Sequence, residues 1–179
     1  MEKNIVLIGF MGTGKSSVGK ILAKRLGRTW VDIDLRIEEN EKRKISEIFE
    51  KQGEVHFRSL EKEMVRQTAA GKNLVITTGG GAVLDAENMK HLKANGVVVA
   101  LLATAETIYQ RVKDSRHRPL LKSDDRLGEI RRMLESRGPL YAKADITFHT
   151  DGKTSAQVAT AISEALDHPE EFEFGKDWF

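Results

Sequence analysis

Short runs of β-branched and aliphatic residues alternate along this chain with segments whose apolar positions recur every three or four residues. The runs are Ile5 to Ile8, Thr29 to Ile33, Leu74 to Thr77, Val97 to Leu102 and Ile146 to His149. Val97 to Leu102 is apolar throughout rather than alternating, the pattern of a strand buried on both faces. Helical stripes show in Val18, Ile21, Leu22 and Leu26, in Phe57, Leu60 and Met64, and in Val158, Ile162 and Leu166. Each is the face a helix packs on a sheet. Together they predict an α/β fold, a parallel sheet covered by helices. Two stretches interrupt the alternation. Leu35 to Gly71 is too long for one crossover and predicts helices inserted after the second strand. Asp114 to Asp125, polar and Arg-rich around Pro119, predicts a surface loop.

Composition narrows the possibilities. The 179 residues carry no Ser/Gly-rich linker and no internal repeat, which predicts one domain. With no cysteine, disulfides, thiolate zinc sites and cysteine nucleophiles are excluded. No apolar run approaches the roughly 20 residues of a membrane span, and the run after Met1-Glu2-Lys3-Asn4 is too brief for a signal peptide. The reading is a cytoplasmic monomer with no membrane partner. A net charge of +2 is too small for a general nucleic-acid binder, so no nucleic-acid partner is expected. Basic residues concentrate between 111 and 137, whereas the stretch from about 167 to 179 is acidic and ends in Phe172, Phe174, Trp178 and Phe179. Those aromatics favour docking of the tail, on the body or on a partner, over fraying.

Gly9-Phe10-Met11-Gly12-Thr13-Gly14-Lys15-Ser16 fits the phosphate-loop pattern G-x-x-x-x-G-K-[ST] and lies between a predicted strand and a predicted helix. Its glycines let backbone N–H groups face phosphate oxygens at the positive end of the helix. Lys15 then reaches the β and γ phosphates, and the Ser16 hydroxyl is a ligand for Mg²⁺. The alternative is a glycine-rich turn that only caps a helix. Asp32 and Asp34 flank Ile33 at the carboxyl end of the second predicted strand, where a two-residue period sends both side chains to one side. One could hold Mg²⁺ through water while the other orients or deprotonates an attacking hydroxyl; the alternative is that both cap the next helix. Gly79-Gly80-Gly81 follows the third strand, either as a flexible turn or as backbone that approaches a substrate closely. Arg58, Arg118 and Arg137 lie at or near expected breaks in helical pattern. Each alone reads as a solvated surface residue, but three converging on one pocket would bind an anion.

The ordered set of these motifs, with Phe57-Arg58, Glu61, Arg118-Pro119-Leu120-Leu121 and Arg137-x-Pro139-Leu140-Tyr141, resembles the shikimate kinase family from Ile5 to about Leu166. The resemblance implies a three-layer P-loop kinase fold with a five-stranded parallel sheet in order 2-3-1-4-5 flanked by helices. It implies one kinase domain over 1–179, with a substrate-binding insert at about 35–71, a lid at about 112–125 and a tail at about 167–179. The implied activity is transfer of the γ-phosphate of ATP to the 3-hydroxyl of shikimate, in aromatic amino-acid biosynthesis, with Mg²⁺ as cofactor. By the same resemblance Asp34 contacts the substrate hydroxyls and acts as base, while Arg58 and Arg137 grip the carboxylate. Gly80 and Gly81 line the substrate, and Glu61 steadies Arg58. Gly12, Thr13, Gly14, Lys15, Ser16 and Ser17 bind ATP, with Arg111 stacking on adenine and Arg118 of the lid contacting phosphates. Catalysis falls to Asp34, Lys15 and Arg118, and the metal to Ser16 and Asp32. Between Thr150 and Ser155 there is no proline to complete a sandwich with Arg111, and His117 reads as an exposed lid residue. The rivals are a kinase of the same branch acting on gluconate or a nucleotide, and a nucleotide-binding module without catalysis.

Overall fold

The structure, a computed structural model, describes residues 3–113, 125–168 and 177–178. Its strands are β1 (Asn4–Gly9), β2 (Thr29–Asp32), β3 (Leu74–Thr77), β4 (Gly96–Leu102), β5 (Ile146–His149) and β6 (Asp177–Trp178). The helices are α1 (Lys15–Leu26), α2 (Ile33–Glu41), α3 (Ile45–Ala69), α4 (Ala86–Ala94), α5 (Ala105–Val112), α6 (Arg126–Tyr141) and α7 (Ser155–Asp167), with a 3₁₀ turn at Ala82–Leu84.

All strand pairs are parallel, in the order β2-β3-β1-β4-β5-β6. The period of two in β1 divides the interior. Ile5 and Leu7 join α1 and α7 in one core, through Val18, Leu22, Val158 and Ile162, whereas Val6 and Ile8 join the core built by α2 to α6. These are the three layers the patterning predicts, and the first five strands keep the expected order.

Two expectations need correction. Ile33 is not the last residue of β2 but the first of α2, because the Asp32 side chain accepts from Leu35 N at 3.2 Å and caps a helix there. The break expected at Arg137-Gly138-Pro139 is absent: α6 runs through to Tyr141. Pro139 lies in its last turn, so the bond it forfeits and the kink its ring imposes leave only a few residues downstream to disturb, and the Ala142 N–H still bonds Gly138 O. The acidic tail reaches the body through backbone, since β6 pairs with β5 at Thr147 and Phe148. Phe172, Phe174, Phe179 and the lid residues His117 and Arg118 lie outside the described residues.

Candidate active site

The carboxyl ends of the parallel strands form one rim, the usual ligand side of such a sheet. From β1 the phosphate loop turns into α1 through Gly12 and Gly14 at φ 76° and 95°. Lys15, 9% exposed, donates from Nζ to Gly9 O and Phe10 O, both at 2.8 Å, so its ammonium lies across the loop at the start of α1. Asp32 ends β2. Its Oδ2 accepts from Ser16 Oγ at 2.9 Å and from Thr77 Oγ1 at 2.8 Å. Thr77 is opposite Asp32 in the register of β2 on β3, which is what delivers its hydroxyl.

Asp34 lies in the first turn of α2, and its Oδ1 is buried without a hydrogen-bond partner. Burial foremost, then the neighbouring charges of Asp32 and Glu61, pushes its pKa up to about 7, against the pull of Lys15 and Arg58. Helical rather than strand geometry thus presents it, yet Asp32 and Asp34 line the same cleft. From α3, Arg58 donates to buried Glu61 at 2.7 Å and to exposed Glu54 at 3.1 and 3.2 Å. Burial raises the Glu61 carboxyl and Arg58 opposes that shift.

The three glycines after β3 are sites of close approach. A Cβ on Gly79 would stand 2.7 Å from Asp34 Oδ1 and 3.2 Å from Glu61 Oε1, and one on Gly81 would collide with the Arg58 guanidinium. Arg137 comes to the same loop from α6: it is 8% exposed, donates to Gly80 O at 3.5 Å and lies 5.6 Å over the Phe10 ring. It backs Gly80 and does not line the cleft wall, whereas Arg58 does.

The cleft has a volume of about 1150 Å³. Phosphate-loop residues, Asp32 and Asp34 line one part, and Ile45, Phe49, Phe57, Arg58, Glu61 and the glycines line another. A second cleft of about 310 Å³ shares Gly14 and Ser17 with it and is bounded by Thr13, Arg111, Thr150, Lys153 and Val158. Arg111 is fixed there by three donations, to Gly12 O at 3.1 Å, Thr150 Oγ1 at 2.9 Å and Thr150 O at 2.8 Å. The sequence reading missed Thr77, Thr150 and Tyr141, whose hydroxyls hold Asp32, accept from Arg111 and bond Gly80. Only Tyr141 carried a signal, as the end of a quoted motif.

The family model described as shikimate kinase matches residues 11–167. The chain belongs to the shikimate kinase family. Among its relatives, the shikimate kinase of Persephonella marina is 48% identical over 160 residues, covering 89% of this chain and 96% of that protein. A solved shikimate kinase from Acinetobacter baumannii, in complex with shikimate, superposes with a TM-score of 0.91 at 38% identity over 94% of each chain. A gluconokinase from Sinorhizobium meliloti shares the fold alone, with a TM-score of 0.62 at 16% identity. Membership of the shikimate kinase family therefore separates this chain from the gluconate rival, which has the same architecture.

Proposed function

We propose that this chain transfers the γ-phosphoryl group of ATP to the 3-hydroxyl of shikimate, yielding shikimate 3-phosphate and ADP in aromatic amino-acid biosynthesis. The observation that carries the reading is the cleft that unites Lys15 of the phosphate loop, the unpartnered carboxylate oxygen of Asp34 and the guanidinium of Arg58. Arg58 pairs with the shikimate carboxylate as a planar fork, and Arg137 approaches it from behind Gly80. Asp34 accepts the proton of the 3-hydroxyl as that oxygen bonds to phosphorus and the bridging oxygen departs with ADP. Its pKa near 7 suits a base that works near neutral pH. Lys15 exchanges the loop carbonyls for phosphate oxygens, and the N–H groups of the loop cradle the chain of phosphates toward Arg111. By resemblance Arg118 closes over them from the lid.

Mg²⁺ fits Ser16 and Asp32. Their oxygens are hard donors 2.9 Å apart, and no group of three His, Cys, Asp or Glu forms a closed cage among the described residues. An ion held by one or two protein oxygens plus phosphates and water is the usual arrangement for Mg²⁺. When bound, it neutralises phosphate charge. We read the chain as a single cytoplasmic kinase domain acting as a monomer, with the stretch of about 35–71, most of α2 and all of α3, as its substrate insert. No helix among the described residues is long and apolar enough to cross a membrane.

Coupled measurement of ADP release tests the reading. Turnover is expected to need shikimate and to rise at least hundredfold on its addition; equal rates with and without it, or turnover on gluconate alone, would overturn the function.

A further inference from the structure

Tyr141, the last residue of α6, takes no part in the chemistry above, yet it is 1% exposed and donates from its hydroxyl to Gly80 O at 2.7 Å. Arg137, one turn earlier, lies close enough for its charge to oppose the rise of that hydroxyl, and it makes a long 3.5 Å approach to the same carbonyl. Phenol and guanidinium thus converge on one backbone carbonyl, the phenol at the shorter distance.

We propose that Tyr141 is a positioning residue for the phosphoryl acceptor: it orients Arg137 and the Gly80–Gly81 peptide so that both meet shikimate. The proposal rests on the reading of the cleft as a shikimate site. The peptide is trans, so a carbonyl held toward α6 turns the Gly81 N–H to the opposite side. Both glycines line the cleft, which makes that N–H a donor for the substrate. Gly80 is also backed by the phosphate loop, since a Cβ there would stand 3.2 Å from Met11 N and 3.6 Å from Gly9 O. One hydroxyl therefore sets the spacing between the acceptor's backing and the loop that holds the donor, a spacing to which in-line transfer is sensitive at about 1 Å.

The chemistry of the partner matters too. Glu61 steadies Arg58 but neutralises part of its charge, whereas the phenol that shares Gly80 O with Arg137 is neutral. Burial raises the Tyr141 hydroxyl to about 12, which keeps it a neutral donor. Among the described residues Arg137 forms no ion pair, so its charge remains for the incoming carboxylate.

Tyr141→Phe keeps the buried ring and deletes the bond to Gly80 O. The expected result is a shikimate KM about tenfold higher and a kcat severalfold lower, with the ATP KM within twofold, the worth of about one neutral hydrogen bond. In an Arg137→Ala background the same substitution should change the shikimate KM by clearly less than tenfold, because tyrosine and arginine share the Gly80 carbonyl and only the peptide's part of the effect remains. A purely structural tyrosine would lower Tm and leave the shikimate KM unmoved. That outcome, or effects that multiply in the double variant, overturns the proposal. Shikimate-independent turnover by the unmodified chain would overturn the substrate reading and the proposal with it; shikimate-dependent turnover with an unmoved KM in Tyr141→Phe overturns the proposal alone.

Discussion

Asp34 is held buried with one oxygen unpaired, and its pKa stands at about 7 against 3.8 for an ordinary aspartate. Between those values the folded chain binds a proton that the unfolded chain has released. The contribution of Asp34 to stability is therefore fullest below about pH 4 and is lost as pH rises through 7. Asp34→Asn abolishes the penalty along with the base. With EDTA present and no nucleotide, the variant is expected to melt several degrees above the unmodified chain at pH 8 and level with it near pH 4. Its turnover should fall at least about hundredfold. A variant no more stable at pH 8 would contradict burial as the cause of the raised pKa. Asp32 and Asp34 were legible in the sequence because two acids one residue apart at the end of an apolar run are a pattern. Thr77 and Thr150 were not. A lone hydroxyl has no spacing, and only the register of β2 on β3 sets Thr77 against Asp32, as only the fold sets Thr150 against Arg111.

At the scale of elements, α3 carries both sides of the acceptor site. Ile45, Ser46 and Phe49 precede its kink, and Phe57, Arg58 and Glu61 follow it. The kink is at Gly53, with φ 80° and ψ 172°, backbone that a side chain rarely adopts. It lets Phe49 and Phe57 meet at 4.8 Å between ring centroids, although eight residues span about 12 Å of straight helix. Nothing lies within 4 Å of a Cβ built on Gly53, so Gly53→Ala strains the backbone alone. Urea unfolding should show a loss of about 1–3 kcal/mol. Shikimate KM should rise severalfold with ATP KM unchanged; a shift in both would place the hinge's influence beyond the insert. The strands were readable because burial on both faces leaves unbroken apolar runs. The course of α6 was harder to read. Glycine and proline at 138 and 139 signal a break, but in the last turn that signal has almost no helix downstream to disrupt.

For the whole molecule, the layers and the order of the first five strands followed from alternation and resemblance, whereas the sixth strand had no apolar run to announce it. The family match ends at residue 167 and β6 lies beyond it. A chain ending at residue 168 is expected to keep kcat and both KM values within twofold but to melt a few degrees lower, because β5 becomes an edge. Lost turnover with an unchanged melting point would place the tail in the reaction rather than in the sheet. The position of β1 has a consequence for biogenesis. It lies between β3 and β4, bonded through Ile5 to the registers of Val75 and Val97. Synthesis proceeds at about 5–20 residues per second, so Ile5 to Ile8 emerge from the ribosome roughly 5–20 s before β4 exists to flank them. During that interval a strand buried along its whole length in the finished enzyme is an unpaired apolar segment of the nascent chain, a target for a chaperone that grips extended aliphatic peptides.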